Sequence, residues 1–331
     1  MAKQAYILNS EILENQETNA IKEVAILETI LSFLPKNIVE QIKQIPPKQL
    51  EELEEIRIRI HRPMELSLKG TPYFLSYIIQ PEDAFHLLNK ISSYSIYTLE
   101  EELKRGYITV SGGHRIGLAG KVILEEGRVK AIRDVSSFNI RVAREKIGIA
   151  NTVIPFIFKG NWQNTMVIGA PQTGKTTLLR DIARIISTGE RNIPASKVGI
   201  VDERSEIAGC VNGVPQLSFG HRLDVLDACP KAEGMMMMIR SMSPEVLIVD
   251  EIGRWEDTEA ILEAVHAGIK LVMTTHGTSL QEITGRPTLK QIIDQKIFQR
   301  FIVLNRSAGP GTITHILDES GRELKQKVSV T

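Results

Sequence analysis

Residues 165–177 read Thr-Met-Val-Ile-Gly-Ala-Pro-Gln-Thr-Gly-Lys-Thr-Thr, and this stretch decides the fold of the part of the chain around it. A short apolar run comes first, the spacing Gly-x-x-x-x-Gly-Lys-Thr follows, and apolar residues then recur at helical spacing from Leu178 to Ile186. The stretch predicts a buried strand, a glycine-rich turn and a helix. In this order, the backbone can cradle the phosphates of a nucleotide.

Each residue type in this stretch suits one part of a phosphate site. Gly169 and Gly174 allow a tight turn, so that backbone N–H groups can converge on the β-phosphate. Lys175 supplies a positive charge for the β- and γ-phosphates, and the Thr176 hydroxyl is placed to bind Mg²⁺. We expect ATP and Mg²⁺ as ligands, since the chain has no Asn-Lys-x-Asp motif for reading guanine. The predicted nucleotide-binding residues of this loop are Gly169, Ala170, Pro171, Gln172, Thr173, Gly174, Lys175, Thr176 and Thr177.

The composition argues against a nucleic-acid-binding, a membrane-spanning or an exported protein. The 331 residues include 40 Lys and Arg against 40 Asp and Glu, which argues against non-specific nucleic-acid binding by the chain as a whole. No apolar run approaches the roughly 20 residues that span a bilayer. The first residues also lack the apolar core of an export signal. With only two cysteines, Cys210 and Cys229, we expect a cytoplasmic protein with reduced thiols.

Two sequence patterns divide the chain into domains. Over residues 151–331, short apolar runs alternate with helical periodicity, which is typical of a mostly parallel sheet flanked by helices. Residues 21–150 mix helical segments with strict alternation, as at Glu55–His61, and predict a smaller α+β domain. Residues 1–20 are polar and predict a flexible tail.

The same patterns predict the individual strands. In the C-terminal domain these are 165–168, 198–201, 246–249, 271–274 and 301–304, with 312–317 as an antiparallel edge. In the N-terminal domain they are 55–61 with its hairpin partner 64–68, then 107–110, 115–119, 121–124 and 129–132.

Two acids follow the predicted strand Val246–Val249. Asp250 can hold Mg²⁺ through water beside a phosphate loop, so we predict Thr176 and Asp250 as the metal-binding residues. Glu251 is placed to orient and deprotonate an attacking water. The pair favours hydrolysis over transfer of a phosphoryl group to a small acceptor.

Two further strand ends carry polar residues. Asp202 and Glu203 follow strand 198–201 and add negative charge that can support a metal ion or a water molecule. His276 follows strand 271–274 and can sense the γ-phosphate by hydrogen bonding. Ligands of open parallel sheets bind at the carboxyl ends of the strands, so these residues can meet at one nucleotide.

The order of these segments resembles the secretion-superfamily ATPases of type II, type IV and pilus machines. In that family a phosphate loop is followed by an aspartate box, an acidic second motif and a histidine box. Residues 239–254 resemble the family's Leu-Arg-x-x-Pro-Asp stretch and the Gly-Glu-Ile-Arg that follows it. Asp250 replaces the usual glycine, and an extra Gly253 precedes Arg254. The resemblance implies a RecA-like ATPase core with Glu251 as the catalytic acid residue.

A narrower resemblance covers nearly the whole chain and indicates the stage III sporulation protein AA family of endospore formers. It is carried by residues 55–59, 111–120, 132–144, 198–209 and 215–230. The resemblance implies an ATPase in the mother-cell cytoplasm, peripherally associated with the channel that joins mother cell and forespore. The implied partners are further copies of the chain, with a hexamer expected, and integral membrane proteins of the channel. No nucleic acid is expected.

Arginines of the N-terminal domain are further candidates for the catalytic site. The related secretion ATPases use such arginines to reach the nucleotide. An arginine delivered across a subunit boundary would stabilise transition-state charge and make activity depend on assembly. The candidates are Arg115, Arg133, Arg141 and Arg144, of which we favour Arg133 and Arg141. The same resemblance implies phosphate- or interface-sensing roles for Arg240 and Arg254.

The leading hypothesis is an ATP-hydrolysing, ring-forming motor. It would energise the assembly of, or transport through, a secretion-like membrane channel during endospore formation. Two alternatives stay open: a nucleic-acid-stimulated motor, because helicases share this core, and a nucleotide-gated scaffold with little turnover. Hydrolysis stimulated by DNA or RNA would favour the first alternative. Replacing Glu251 with Gln separates a motor, which loses its output, from a scaffold, which keeps working.

Overall fold

The computed structural model of the chain describes residues 23–92, 100–190 and 192–324. The chain divides into two compact units, Met1–Arg144 and Glu145–Thr331, called here the N-terminal unit and the C-terminal unit. The predicted flexible tail at residues 1–20 lies outside the described residues. Within the described ranges, no helix is both long enough and apolar enough to cross a membrane.

The N-terminal unit is an α+β structure. Its helices are α1 (helical over residues 23–33), α2 (Lys36–Ile42), α3 (Pro47–Leu50), α4 (Pro81–Ile91) and α5 (Glu100–Arg105), with a 3₁₀ turn at Ser111–Gly113. Its strands are β1 (Leu53–Arg59), β2 (Pro63–Leu68), β3 (Thr71–Ile78), β4 (Tyr107–Val110), β5 (His114–Glu125) and β6 (Arg128–Arg141). Neighbouring strands pair antiparallel in the order β3-β2-β1-β6-β5-β4.

The alternating sequence of β1 gives the strand two different faces. Ile56 and Ile58 are fully buried, whereas Arg57 is partly exposed on the opposite face. Ile56 lies opposite Leu66 of β2 and Ile140 of β6, so that apolar side chains of three strands line one face. Helices α1, α2 and α4 contribute buried residues to the same core. The predicted hairpin of β1 and β2 is confirmed.

Two strands of this sheet are longer than predicted. β5 is a single strand because Gly120 lets it continue through an irregularity, where a Cβ at Gly120 would lie 2.8 Å from the Cα of Val135. β6 continues past the predicted end at Ile132 as far as Arg141. Asp134, with φ of 49°, breaks the alternation that would have revealed the second half of β6.

The C-terminal unit is built around a mostly parallel sheet. Its strands are β7 (Thr165–Gly169), β8 (Val198–Asp202), β9 (Leu223–Asp227), β10 (Val246–Val249), β11 (Lys270–Thr275), β12 (Arg300–Asn305) and β13 (Thr312–Asp318). Its helices are α6 (Ile154–Ile157), α7 (Lys175–Thr188), α8 (Lys231–Ser241), α9 (Trp255–His266), α10 (Leu280–Thr284) and α11 (Pro287–Asp294), with a 3₁₀ turn at Ile149–Thr152. The strand order is β13-β12-β7-β11-β10-β8-β9, and β13 pairs antiparallel with β12.

Helices cover both faces of this sheet. Met166 and Ile168 of β7 pack in one core with residues of α8, α9 and α11, whereas Val167 packs in a second core with residues of α7. Strands buried on both faces appear in the sequence as continuous apolar runs, which is why β7, β8, β10, β11 and β12 were predictable. The predicted parallel sheet and its antiparallel edge are confirmed.

His114 is a buried ionisable group of the N-terminal unit. Its side chain is fully buried, and its Nδ1 accepts the backbone N–H of Ala143 at 3.0 Å. Burial, with the nearby charge of Arg144 as a second cause, lowers the pKa of His114 from 6.5 to about 4. The folded unit therefore keeps this imidazole neutral at a pH where an unfolded chain would protonate it.

We expect the N-terminal unit to lose stability as the pH falls from about 6.5 towards 4. The unfolded chain gains a proton at His114 in this range and the folded unit does not, so the free energy of unfolding falls by about 3 kcal/mol at pH 4. All six tyrosines precede residue 145, so their second-derivative absorbance during urea unfolding reports on this unit. His114→Leu should flatten the pH dependence. An equal slope in the variant would contradict the assignment.

Candidate nucleotide-binding site

The loop at residues 169–174 joins β7 to α7 and has a shape that depends on its glycines. Gly174 adopts a left-handed φ of 89°, and a Cβ there would lie 2.9 Å from the backbone N of Gly311. A Cβ at Gly169 would collide with the hydroxyl of Thr173, which donates to the carbonyl of Ala170 at 2.8 Å. The backbone thus lines a cradle that side chains at either glycine would fill.

The N-terminus of α7 points into this loop. The helix begins at Lys175, directly after Gly174, and no side chain caps its first turn. First-turn N–H groups have no partner within a helix, and they carry the positive end of the helix dipole. A glycine cradle followed by an uncapped helix N-terminus fits a phosphate group.

Lys175 is buried at the base of the loop. Its Nζ donates to the carbonyl of Ala170 at 3.1 Å and lies 3.3 Å from Nδ1 of His276. Burial lowers the pKa of Lys175, while the charges of Asp250, Glu251 and Glu206 oppose that shift. A buried ammonium group at the base of the loop is well suited to donate to an anionic phosphate oxygen.

Thr176 and Asp250 meet beside the loop. The Thr176 hydroxyl donates to one carboxylate oxygen of Asp250 at 2.7 Å, and the Thr274 hydroxyl at the end of β11 donates to the other. Within the described residues, no group of three or more His, Cys, Asp or Glu is arranged to hold a metal ion. Mg²⁺ typically takes one or two protein oxygens together with phosphate oxygens and water, and this pair fits that pattern.

Glu251 follows Asp250 in an unusual backbone conformation. Its φ is 53°, and its N–H donates to the Thr274 hydroxyl at 2.8 Å. One carboxylate oxygen lies 2.6 Å from a guanidinium nitrogen of Arg204, and the other lies 3.0 Å from Nε2 of His276. A left-handed φ at a residue other than glycine costs about 1 kcal/mol or more, and such residues occur at active sites as well as in turns.

Asp202 and Glu203 make contacts within the protein. Asp202 is almost fully buried, and its two oxygens accept the backbone N–H groups of residues 206, 207 and 208, each at 2.9 Å. Burial raises the pKa of Asp202 to about 6, although the three N–H donors oppose the shift. Glu203 pairs with Lys231 of α8 and lies 3.8 Å from Arg254. These contacts shape the loop after β8, and a contact of either acid with nucleotide stays a prediction.

The two favoured arginines of the N-terminal unit are exposed. Arg133 is paired with Asp134 at 3.4 Å, and Arg141 lies 3.9 Å from Glu55. Seven residues of β6 lie between Arg133 and Arg141. Their role at a nucleotide stays a prediction, as do the roles of Arg240 and Arg254.

Three residues at the site were missed by the sequence analysis. Arg204 and Thr274 contact the Asp250–Glu251 pair, and the backbone N–H of Gly311 donates to the carbonyl of Thr173 at 2.8 Å. Thr274 could have been predicted as a site residue, because it is the last residue of the predicted strand 271–274. Arg204 and Gly311 had none, since each reaches the site through a loop whose path only the folded structure defines.

Residues 25–324 match the family model described as sporulation stage III, protein AA. The chain belongs to this family. It is 55% identical over 304 residues to the stage III sporulation protein AA of Bacillus subtilis (strain 168), and the match covers 92% of this chain and 99% of that protein. The resemblance found in the sequence is thus confirmed. The protein SEEDLING PLASTID DEVELOPMENT 1 of Arabidopsis thaliana is 31% identical over 225 residues, which are 62% of this chain and 32% of that protein.

Solved structures of secretion-type ATPases share the fold. The Yersinia pseudotuberculosis ATPase DotB matches with a TM-score of 0.56 and 14% identity, over 83% of this chain and 77% of that one. The pilus retraction motor PilT with bound ADP matches with a TM-score of 0.55 and 15% identity, over 80% and 76%. These similarities confirm a RecA-like fold preceded by a smaller α+β domain.

Proposed function

We propose that this protein hydrolyses ATP with Mg²⁺ and acts as a ring-forming motor for a secretion-like membrane channel during endospore formation. The observation that carries the proposal is the contact of Thr176 with Asp250, next to Glu251, where the phosphate loop meets the carboxyl ends of β10 and β11. A protein that only binds nucleotide would need the phosphate loop but not the two acids. The adjacent second acid supports hydrolysis.

In this proposal, residues 169–177 bind the triphosphate through backbone N–H groups, and Lys175 pairs with the β- and γ-phosphates. Thr176 and Asp250 would hold Mg²⁺, which would supply positive charge to neutralise the phosphates. Glu251 orients a water molecule and accepts its proton as the water oxygen bonds to the γ-phosphorus and the bond to ADP breaks. His276 hydrogen-bonds the γ-phosphate, so its contacts depend on whether ATP or ADP is bound.

The proposal includes assembly. An arginine of a neighbouring subunit, Arg133 or Arg141, would stabilise the transition-state charge, so that the site is complete only between two copies. The expected assembly is a hexamer in the mother-cell cytoplasm, bound peripherally to integral membrane proteins of the channel between mother cell and forespore. Membership of the sporulation family supports this setting. No nucleic-acid partner is proposed.

The test measures Mg²⁺-dependent ATP hydrolysis per subunit against protein concentration, with and without DNA or RNA. We expect the rate to rise with concentration and to be indifferent to nucleic acid. Replacing the arginine that acts in trans with Ala should lower kcat at least about 100-fold. Arg128→Ala, at the exposed start of β6, is the matched control and should keep its rate.

Mixing two inactive variants then tests the subunit boundary. A 1:1 mixture of the arginine variant with Glu251→Gln should regain up to about a quarter of the wild-type rate. Random assembly pairs an intact site with a neighbour's arginine at that frequency. If the wild type is active and neither Arg133→Ala nor Arg141→Ala lowers the rate, the proposed role of an arginine in trans is wrong. The proposed ATPase activity is then unaffected. A wild-type protein that neither retains nor cleaves ATP at any concentration refutes the proposed function.

A further inference from the structure

Four side chains form a continuous chain of close polar contacts from the phosphate loop to the predicted base. The ammonium group of Lys175 can only donate, so Nδ1 of His276, 3.3 Å away, must accept. The ring proton of His276 then sits on Nε2, which lies 3.0 Å from one carboxylate oxygen of Glu251. A guanidinium nitrogen of Arg204 forms an ion pair with the other oxygen of Glu251 at 2.6 Å. Both oxygens of this carboxylate are therefore engaged by protein groups.

Arg204 is held differently from the other three residues. Its backbone lies in the loop that Asp202 fixes through three N–H groups, and the next residue, Ser205, donates to Asp227 at 2.7 Å. Its side chain, however, is 56% exposed. A fixed backbone with a solvent-exposed guanidinium group allows the contact with Glu251 to form and break without a change of fold.

The ion pair between Arg204 and Glu251 contributes little to the stability of the fold. Ion pairs with one exposed partner contribute little to folding, because solvent screens the charges and the side chains lose freedom. The ion pair instead holds the carboxylate of Glu251, which has to turn towards a water molecule if it is to act as the base. In the same chain of contacts, His276 links that carboxylate to the lysine that a phosphate would engage.

We infer that Arg204 is a positioning residue that restrains Glu251 in the resting state. This inference rests on the proposed ATPase function. When Lys175 turns to a phosphate, its contact with His276 is lost and the hold on Glu251 weakens. Glu251 then leaves Arg204 and orients the attacking water. In the ATP-bound protein the contact with Arg204 still competes with the catalytic position of Glu251, so it lowers kcat.

The test compares Arg204→Ala, Arg204→Lys and a control, Arg222→Ala, in the full chain. Arg222 is also a half-exposed arginine near a carboxylate, at 3.8 Å from Glu245. We expect Arg204→Ala to raise kcat about fivefold, the equivalent of about 1 kcal/mol, with KM for ATP and the affinity for ADP unchanged. Arg204→Lys, whose ammonium group can still pair with Glu251, should stay close to the wild type, as should the control.

A second readout separates the restraint from a structural role. Raising the ionic strength from about 0.05 to 0.5 M screens the pair and should raise the wild-type kcat towards that of Arg204→Ala, which should change less. If the wild type is active and the kcat of Arg204→Ala is equal to or lower than that of the wild type, the inference is wrong. The proposed ATPase function is then unaffected. If wild type and Arg204→Ala both bind ATP and neither cleaves it, the inference and the hydrolysis both fall. Failure of both proteins to bind ATP refutes the nucleotide site itself.

Discussion

Glu251→Gln is expected to lower kcat for ATP hydrolysis at least about 100-fold while leaving ATP bound. General base catalysis typically contributes a factor of about 10² to 10⁴, and an amide cannot accept the proton of the attacking water. The groups expected to bind the nucleotide, the loop at residues 169–174 with Lys175 and Thr176, are unchanged in this variant. The effect should therefore fall on kcat, with little change in the affinity for ATP.

Single-turnover hydrolysis and the amount of ATP retained after gel filtration measure the two parts of this expectation. Glu259→Gln is the matched control, because Glu259 is an exposed acid on α9 in the same unit. In sporulating cells, a motor should fail when it carries Glu251→Gln, whereas a nucleotide-gated scaffold should keep working. A variant that retains more than about a tenth of the wild-type kcat would remove Glu251 as the base.

Asp202→Ala is expected to lower the free energy of unfolding of the C-terminal unit by about 3 kcal/mol or more. The substitution leaves three backbone N–H groups of residues 206–208 without their acceptor, and each unsatisfied buried donor costs about 1 to 3 kcal/mol. The same loop carries Arg204, so its loosening should also disturb the contact with Glu251.

Tryptophan fluorescence during urea unfolding measures this effect cleanly. The two tryptophans of the chain, Trp162 and Trp255, both lie in the C-terminal unit. Asp224→Ala on the neighbouring strand β9 is the control, since that side chain is only partly buried, and its effect should stay within about 0.5 kcal/mol. An equal loss in both variants would mean that the three N–H bonds do not account for the role of Asp202.

The strands that the sequence revealed and those it hid differ in how deeply their side chains are buried. β7, β10 and β11 are central, and burial on both faces requires apolar residues throughout. β3 and β9 lie at sheet edges and were missed. β9 carries Asp224 and Asp227, and most side chains of β3 are exposed. The edge strands β4 and β13 were predicted, because they carry buried apolar residues such as Ile108 and Ile316. β3 and β9 have no fully buried residue, so backbone pairing holds them without an apolar signature.

The candidate site divides in the same way. The phosphate loop and the Asp250–Glu251 pair are local motifs, so their spacing alone predicts where they lie. The contact of Arg204 with Glu251 joins residues 47 positions apart and depends on the loop that Asp202 folds. Nothing in the segment Asp-Glu-Arg-Ser-Glu at 202–206 distinguishes that arginine from a solvated charge. Long-range contacts between exposed loops are the part of a site that sequence patterns do not encode.

The support of the phosphate loop by Gly311 has a consequence for synthesis of the chain. β7 lies between β11 and β12, and the segment after β12 braces the loop through Gly311 and through Arg306, which donates to Gln172 at 3.2 Å. A ribosome makes these supports more than a hundred residues after the loop itself, a delay on the order of 10 s. A nascent chain that already carries the loop therefore lacks these braces until residues 306–311 have been made.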